Sequence, residues 1–316
     1  MVKYICVQPR LVYYAWQLEV MLNNFIKNGV NSFDIYILMA YSPNQQDLTN
    51  HPDVVELYNK LMKRFSGVNF LYYKDTREYP QYISSVRPNI LKQHFAKYPE
   101  LISSTIFYHD CDIIFTKTPD FSEFLNDNYW YLSNTNSYIN SSYIRSKGED
   151  IYNDMCRIVG IDSKIPKIMD NDSGGAQYLM KGVDSKFWEK VEHDSELLYS
   201  YFLDIESKKI SEDPGYHPIQ KWTSDMWAVL WNAWYFEHPT RVHSYFDFTW
   251  ATDHISKWDK NLIYHNAGVV ESGPCFYKGN HINTLPYNLE NIYSPILASY
   301  KYFEEILEAK SKSLFI

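Results

Sequence analysis

Strand-like and helix-like segments alternate through the first 115 residues, and this constrains the fold more than any other feature of the sequence. "KYICVQ" is a short apolar strand closed by Pro9. "AWQLEVMLNNFIKNG" places Leu18, Met21, Leu22 and Phe25 on one helical face, with Gly29 as a stop signal. "FDIYILMAY" reads as a second strand, residues 53–64 as a second helix and "VNFLYY" as a third strand. In "SSVRPNILKQHFAKYPE", Pro88 suits a first helical turn, and Ile90, Leu91, His94, Phe95 and Tyr98 share a face. The fourth strand, "STIFYHD", is almost wholly apolar, as a strand covered on both faces must be. Four strands joined by three helices predict an α/β fold with a doubly wound, mostly parallel sheet flanked by helices. Ligands of such sheets lie beyond the carboxyl ends of the strands.

The second half is more mixed. "WYLSNTNSYI" and "GGAQYLMKG" read as strands, and "SKFWEKVEHDSELLYSYF" and "SDMWAVLWNAW" as helices, the latter with Met226, Trp227, Leu230 and Trp234 on one face. A polar stretch punctuated by Pro and Gly runs from His238 to Pro295, and an amphipathic helix is expected near residues 296–309. No internal repeat or low-complexity linker interrupts the 316 residues.

A net charge of −8 argues against a protein that coats nucleic acid without specificity, although it leaves room for a local basic groove. Cys6, Cys111, Cys156 and Cys275 form no CxxC pair and read as reduced thiols. The N-terminus has no signal-peptide core, and no run of 18 apolar residues occurs, so a soluble, cytoplasmic protein without membrane contact is expected. The 29 tyrosines fit an AT-rich genome such as that of many phages or low-GC bacteria, and tyrosine also serves clefts that stack sugars or bases.

The most chemically loaded stretch is "DCDIIF", directly after the fourth strand. In extended chain Asp110 and Asp112 point to the same side. Two carboxylates held together repel unless a cation joins them, and a hard ion, Mn²⁺ or Mg²⁺, suits carboxylate oxygens.

Preceded by three β-α units and a fourth strand, this stretch resembles the DxD motif of metal-dependent glycosyltransferases of the GT-A fold, a Rossmann-type architecture. "YYAWQLEVM", "VRPNILKQHF", "DCDIIFTKTPDF" and "WTSDMWAVLW" are similar to segments of the hydroxyproline O-arabinosyltransferase and peptidyl-serine galactosyltransferase group. The resemblance implies a single catalytic domain over residues 1–316. Residues 1–115 would be its nucleotide-sugar half, and residues 116–316 its acceptor half with the C-terminal helix.

It further implies a donor nucleotide sugar, most simply a UDP-sugar, whose diphosphate meets a metal held by Asp110 and Asp112. A C-terminal histidine often completes the metal group in such enzymes, and His265 in "YHNAGVVESG" is the choice ahead of His254 and His281. Arg87 would reach the phosphates or the nucleotide, and Gln8 and Arg10 the base and ribose. In "MDNDSGGAQYLMKG", Asp172 and Ser173 would bind donor-sugar hydroxyls, while Gly174 and Gly175 let backbone approach a ligand closely. Asp225, behind a Thr-Ser cap signal, would face the acceptor, as general base if the reaction inverts.

Trp222, Trp227, Tyr245, Phe246 and Trp250 are candidates for acceptor walls. The acceptor itself is expected to be a hydroxyl in the cytosol. A 5-hydroxymethylated pyrimidine in phage or viral DNA is one form, and a protein or glycan hydroxyl is the alternative. DNA would need Lys164, Lys167, Lys208, Lys209, Lys221 and Arg241 to converge. A nucleotidyltransferase is disfavoured because "VQPRLVYY" after the first strand carries no glycine. A non-catalytic nucleotide-sugar-binding protein is the rival of another class.

Overall fold

The computed structural model describes residues 2–271, 273–290 and 292–315. In chain order the elements begin β1 (Val2–Pro9), α1 (Val12–Lys27), β2 (Ile35–Tyr41), α2 (Pro52–Arg64), β3 (Asn69–Lys74), α3 (Val86–Lys97) and β4 (Thr105–Tyr108). Next come β5 (Ile113–Phe115), β6 (Trp130–Leu132), α4 (Asn136–Ile139), α5 (Ser141–Lys147), α6 (Glu149–Val159), α7 (Lys164–Ile168) and β7 (Tyr178–Lys181). The chain continues with α8 (Ser185–Glu212), α9 (Ser224–Tyr235), β8 (Thr240–Val242), β9 (Phe248–Trp250), β10 (Ile263–His265) and α10 (Ser299–Ser311). The chain gathers into two compact units. One comprises Val2–Lys74, Phe107–Glu123 and the residues from Ser244 on, the other Asp75–Ile106 and Phe124–His243.

The first unit carries the expected β-α alternation. Its strands run in the order β3-β2-β1-β4. β1 pairs with β2 in parallel, with Cys6 opposite Ile37, and β2 with β3, with Leu38 opposite Leu71. Ile5, Cys6, Val7, Ile37 and Leu38 are fully buried, which explains why these strands read as continuous apolar runs rather than alternating ones. α1 buries Trp16, Leu18, Met21, Leu22 and Phe25, the last with its ring 6.0 Å from that of Tyr4 in β1, and the chain leaves it through Gly29 at φ +84°, a conformation that favours glycine. α2 starts on Pro52 with His51 as its N-cap and carries Asp53 in its first turn and Lys63 and Arg64 in its last, each sign matched to the helix dipole. A small second sheet has the order β5-β10-β9. The predicted class, α/β with mostly parallel strands flanked by helices, is the one that forms.

The second unit is mainly helical. α3 and α8 pack together, with Asn89 Nδ2 donating to Glu192 Oε1 at 2.9 Å and the Phe95 and Trp188 rings 6.1 Å apart. α9 packs on α8, and its Trp227, Ala228, Val229, Leu230, Trp231, Asn232, Ala233 and Trp234 are all buried. A helix buried all round is core, so the single apolar face read from the sequence is too narrow a description. Fully burying one such indole contributes on the order of 2–3 kcal/mol. Beside these helices lie the strands β7-β6-β8, with β6 antiparallel to β7 and parallel to β8.

Several expectations for this half are corrected. "WYLSNTNSYI" is strand only over β6. Asn134 Oδ1 then accepts from the Asn136 N–H at 3.2 Å and turns the chain into α4. α8 runs to Glu212, ten residues past the expected end, and α10 occupies Ser299–Ser311 rather than 296–309. The Pro- and Gly-punctuated stretch hides three-residue strands, β8, β9 and β10, too short to leave a period in the sequence.

Candidate functional site

The chain does not continue in extended form after β4. Residues 111 and 112 form a turn into β5, so Asp110 and Asp112 are aligned by that turn and not by strand periodicity. β5 pairs antiparallel with β10, and the register sets His265 opposite Ile113. The Asn266 N–H donates to the Asp112 carbonyl at 2.9 Å and locks that register at the turn. His265 Nε2 consequently lies 3.3 Å from Asp112 Oδ1 and 3.7 Å from Asp110 Oδ2. One donor atom from each of the three side chains falls within 4.8 Å of the others. Aromatic neighbours hold the imidazole. Trp250, paired with His265 across β9 and β10, stacks on it at 6.4 Å and 12°, and the Phe248 ring meets it at 5.1 Å.

Two hard oxygens and an imidazole nitrogen form a fitting donor set for a divalent ion. Metal–ligand bonds of about 2.1 Å place adjacent ligands about 3 Å apart, close to the separations found here. Sequence reading missed a fourth member, Lys278, whose ammonium hydrogen-bonds Asp112 Oδ2. Burial alone would push the Asp112 carboxyl up. The Lys278 and His265 charges outweigh it and hold Asp112 well below the usual carboxylate range. Nothing local marks Lys278 in "CFYKGNH"; only the packing of the chain brings it to the turn. His109, inside the motif, belongs to the core. It stacks on Phe107 at 5.2 Å, and burial lowers its pKa to about 4. The competing histidines are occupied elsewhere, His254 with Ser256 and His281 with Thr284 and the Phe276 ring.

The residues assigned to base and ribose sit at the carboxyl end of β1. Gln8 is buried, with Nε2 3.6 Å from Cys6 Sγ. Arg10 is spread between the Thr49 carbonyl (2.6 Å), Asn50 Oδ1 (2.9 Å) and the Tyr41 and Tyr72 rings, whose centroids lie 5.8 and 5.4 Å away.

The second unit gathers the remaining candidates. Asp225 sits in the first turn of α9. The expected cap is not made, because the Thr223 and Ser224 hydroxyls donate back to the Gln220 and Lys221 carbonyls. Instead Asp225 Oδ1 accepts from the Tyr82 hydroxyl at 2.7 Å and from the Met226 N–H at 3.0 Å. Arg87 Nη2 lies 3.5 Å from Asp225 Oδ2, so the arginine expected at phosphates forms an ion pair with the acid. Burial first, then the Asp225 charge, raise the Tyr82 pKa well above that of an ordinary phenol, and the hydroxyl stays a donor. Tyr82 went unnoticed in the sequence because 143 residues separate it from Asp225.

Asp172 Oδ1 accepts from the Val242 N–H at 3.2 Å, and Ser173 is buried. A Cβ on Gly174 would lie 2.5 Å from the Ser133 carbonyl oxygen and 2.8 Å from Leu132 Cβ, and one on Gly175 would lie 2.7 Å from the Tyr178 hydroxyl. The chain's own β6 and β7 therefore close on these glycines. Of the expected acceptor walls, Trp227 and Phe246 are fully buried core, and Trp250 packs on His265. Trp222 is exposed.

Four of the six basic residues considered for DNA are already engaged. Lys167 pairs with Glu149, Lys209 with Asp150 and Lys221 with Glu206, and Arg241 lies 4.0 Å over the Tyr129 ring. All four cysteines are free and buried. Among the described residues no helix is long and apolar enough to cross a membrane.

No protein-family model and no curated protein matches the chain. Among solved structures it is similar to the WbbM bifunctional glycosyltransferase, at 10% identity and a TM-score of 0.48, over 99% of this chain and 52% of that one. It therefore spans about half the length of the WbbM chain. An active-site mutant of LgtC gives 12% identity and a TM-score of 0.41, over 96% of this chain and 95% of that one. Mouse xyloside xylosyltransferase 1 gives 8% and 0.39, over 84% and 98%. Scores this low pass no activity to the present chain.

Proposed function

We propose that this protein is a metal-dependent glycosyltransferase that moves a sugar from a nucleotide sugar, in the first instance a UDP-sugar, to a hydroxyl acceptor. The observation that carries the proposal is the convergence of Asp110, Asp112 and His265 at the turn that ends the fourth strand of a β3-β2-β1-β4 ladder. That is the edge at which α/β sheets receive ligands. Asp110, Asp112 and His265 would hold the ion, and the imidazole nitrogen favours Mn²⁺ over Mg²⁺. When bound, the ion offsets the negative charge that grows on the departing diphosphate. Lys278 brings a second positive charge to the same corner.

In this reading Gln8 and Arg10 receive the base and ribose, and Asp172, Ser173, Gly174 and Gly175 border the donor sugar. Asp225 faces the acceptor hydroxyl and, in an inverting reaction, takes its proton. Arg87 then serves the acid at least as much as the phosphates, since the two are paired. The kinship to hydroxyproline O-arabinosyltransferases and peptidyl-serine galactosyltransferases, the single catalytic domain over residues 1–316 and a cytosolic setting belong to the same proposal. The engaged lysines favour an uncharged acceptor, a protein or glycan hydroxyl, over hydroxymethylated DNA.

The test is to incubate the protein with Mn²⁺ and a panel of UDP-sugars, with saccharides, hydroxyl-bearing peptides and hydroxymethylated duplexes as acceptors. Mass spectrometry should find a hexose or pentose added to one acceptor class and release of UDP. If every donor stays intact with every acceptor, the proposal is wrong.

A further inference from the structure

We infer that Trp222 is the stacking platform for a neutral saccharide acceptor, an inference that rests on the glycosyltransferase reading and names its acceptor class. Of the nine tryptophans only Trp222 is largely exposed, at 59%. A large aromatic side chain left in water forgoes about 2–3 kcal/mol of burial, part of which a stacked sugar ring would recover. The position is also built. Trp222 sits in the one-turn 3₁₀ segment Lys221–Thr223 that runs into α9, three residues before Asp225. The Tyr138 ring lies beside its indole, with centroids 6.3 Å apart and planes 30° from parallel.

The backbone is pinned as well. Tyr82 Oη is 2.6 Å from the Trp222 carbonyl and 2.7 Å from Asp225 Oδ1, so one phenol ties the platform to the acid. Tyr82 is fixed in turn by stacking on Tyr199 at 4.8 Å, and its N–H donates to Glu196 Oε2 at 3.1 Å. An exposed indole three residues before a carboxylate offers a sugar what it needs. The flat face takes the ring C–H groups, and the acid takes a hydroxyl.

Local charge selects the saccharide over nucleic acid. Lys221, next to Trp222, is paired with Glu206, and Arg87 with Asp225, so both of these cations are already matched and neither is spare for a phosphate backbone. The whole chain adds a net charge of −8.

Saturation-transfer NMR with methyl hexosides, lactose and cellobiose tests the platform without turnover. Wild type should saturate the C–H protons of one sugar face. Trp222→Ala should abolish the effect and Trp222→Tyr restore it, and thermal melts should confirm that both variants stay folded. With an accepting saccharide, Trp222→Ala should raise its KM about three- to tenfold. Saturation undiminished in Trp222→Ala, or no saccharide saturated by wild type, overturns the platform. Transfer only to hydroxymethylated DNA or a peptide overturns the acceptor class. Absence of all UDP-sugar turnover with Mn²⁺ overturns the glycosyltransferase reading, and the NMR result still decides the platform.

Discussion

The turn holding Asp110 and Asp112 and the start of α9 holding Asp225 solve opposite problems with the same side chain. At the turn, two carboxylates and an imidazole crowd together, and with the imidazole neutral, as a metal ligand must be, Lys278 supplies one positive charge for two negative ones. At Asp225, a single carboxylate is matched by one guanidinium and one phenol. The first arrangement is short of positive charge and gains from a dication. The second is balanced and can orient a neutral hydroxyl without an ion. One carboxylate cluster thus calls for a further cation, and the other carboxylate is already satisfied by the protein.

The largest expected effect strikes the first corner. Asp112→Ala removes the carboxylate whose Oδ1 faces His265 and whose Oδ2 faces Lys278, and should cut transfer by roughly three orders of magnitude or more. Chelation with EDTA should match it, and Mn²⁺ should restore wild type but not the variant. Far-UV circular dichroism should remain that of the folded protein. Full activity in EDTA would erase the contrast between the two regions.

The two regions also differ in how much of them the sequence disclosed. Asp110 and Asp112 were legible because a DxD pattern after an apolar strand is local, written in six consecutive residues, although the turn that aligns them was read as extended chain. His265 could be selected because the resemblance calls for a C-terminal histidine, yet its partner Ile113 across the β5–β10 ladder lies 152 positions away and leaves no local trace. Lys278 and Tyr82 were illegible for the same reason: each reaches its carboxylate through tertiary packing. In the fold, the β-α alternation was readable because each element buries one long apolar stripe or run. The three-residue strands β8, β9 and β10 and the helices α4 to α7 were not, since elements of three to eleven residues hold too few periods.

A smaller loss is expected at the second region. Asp225→Asn keeps the shape and a carbonyl acceptor for Tyr82 but removes the charge that Arg87 faces. Transfer should fall about 10²- to 10³-fold, with UDP-sugar affinity nearly unchanged. Single-turnover transfer and donor titration separate the two quantities. Unchanged turnover would make Asp225 a first-turn carboxylate that merely suits the helix dipole.

Gly174→Ala asks whether the Gly-Gly pair serves the donor sugar or the fold. The new methyl would lie 2.5 Å from the Ser133 carbonyl oxygen and 2.8 Å from Leu132 Cβ, so β6 must shift. Overpacking of this kind costs about 1–3 kcal/mol, read by urea denaturation. If the glycine serves packing alone, the donor KM of the surviving folded fraction should stay near that of wild type. A donor KM raised tenfold without loss of stability would assign Gly174 to the ligand instead.

The smallest effect gives the finest test of charge balance at the turn. Lys278 competes with a metal for Asp112, because its ammonium occupies Oδ2. Lys278→Met keeps the aliphatic stem and deletes the charge, which makes the turn more negative. In the absence of nucleotide, Mn²⁺ should bind about three- to tenfold more tightly, measured by calorimetry or by the free-ion EPR signal. With a UDP-sugar present the sign should reverse for the donor: its KM should rise, since an anionic diphosphate has lost a positive neighbour. The opposed signs separate this account from simple damage, which would weaken both ligands. If Mn²⁺ binds the variant more weakly than wild type, Lys278 is shaping the site rather than competing for it. The turn would then resemble the Asp225 pocket, a carboxylate whose charge the protein itself satisfies.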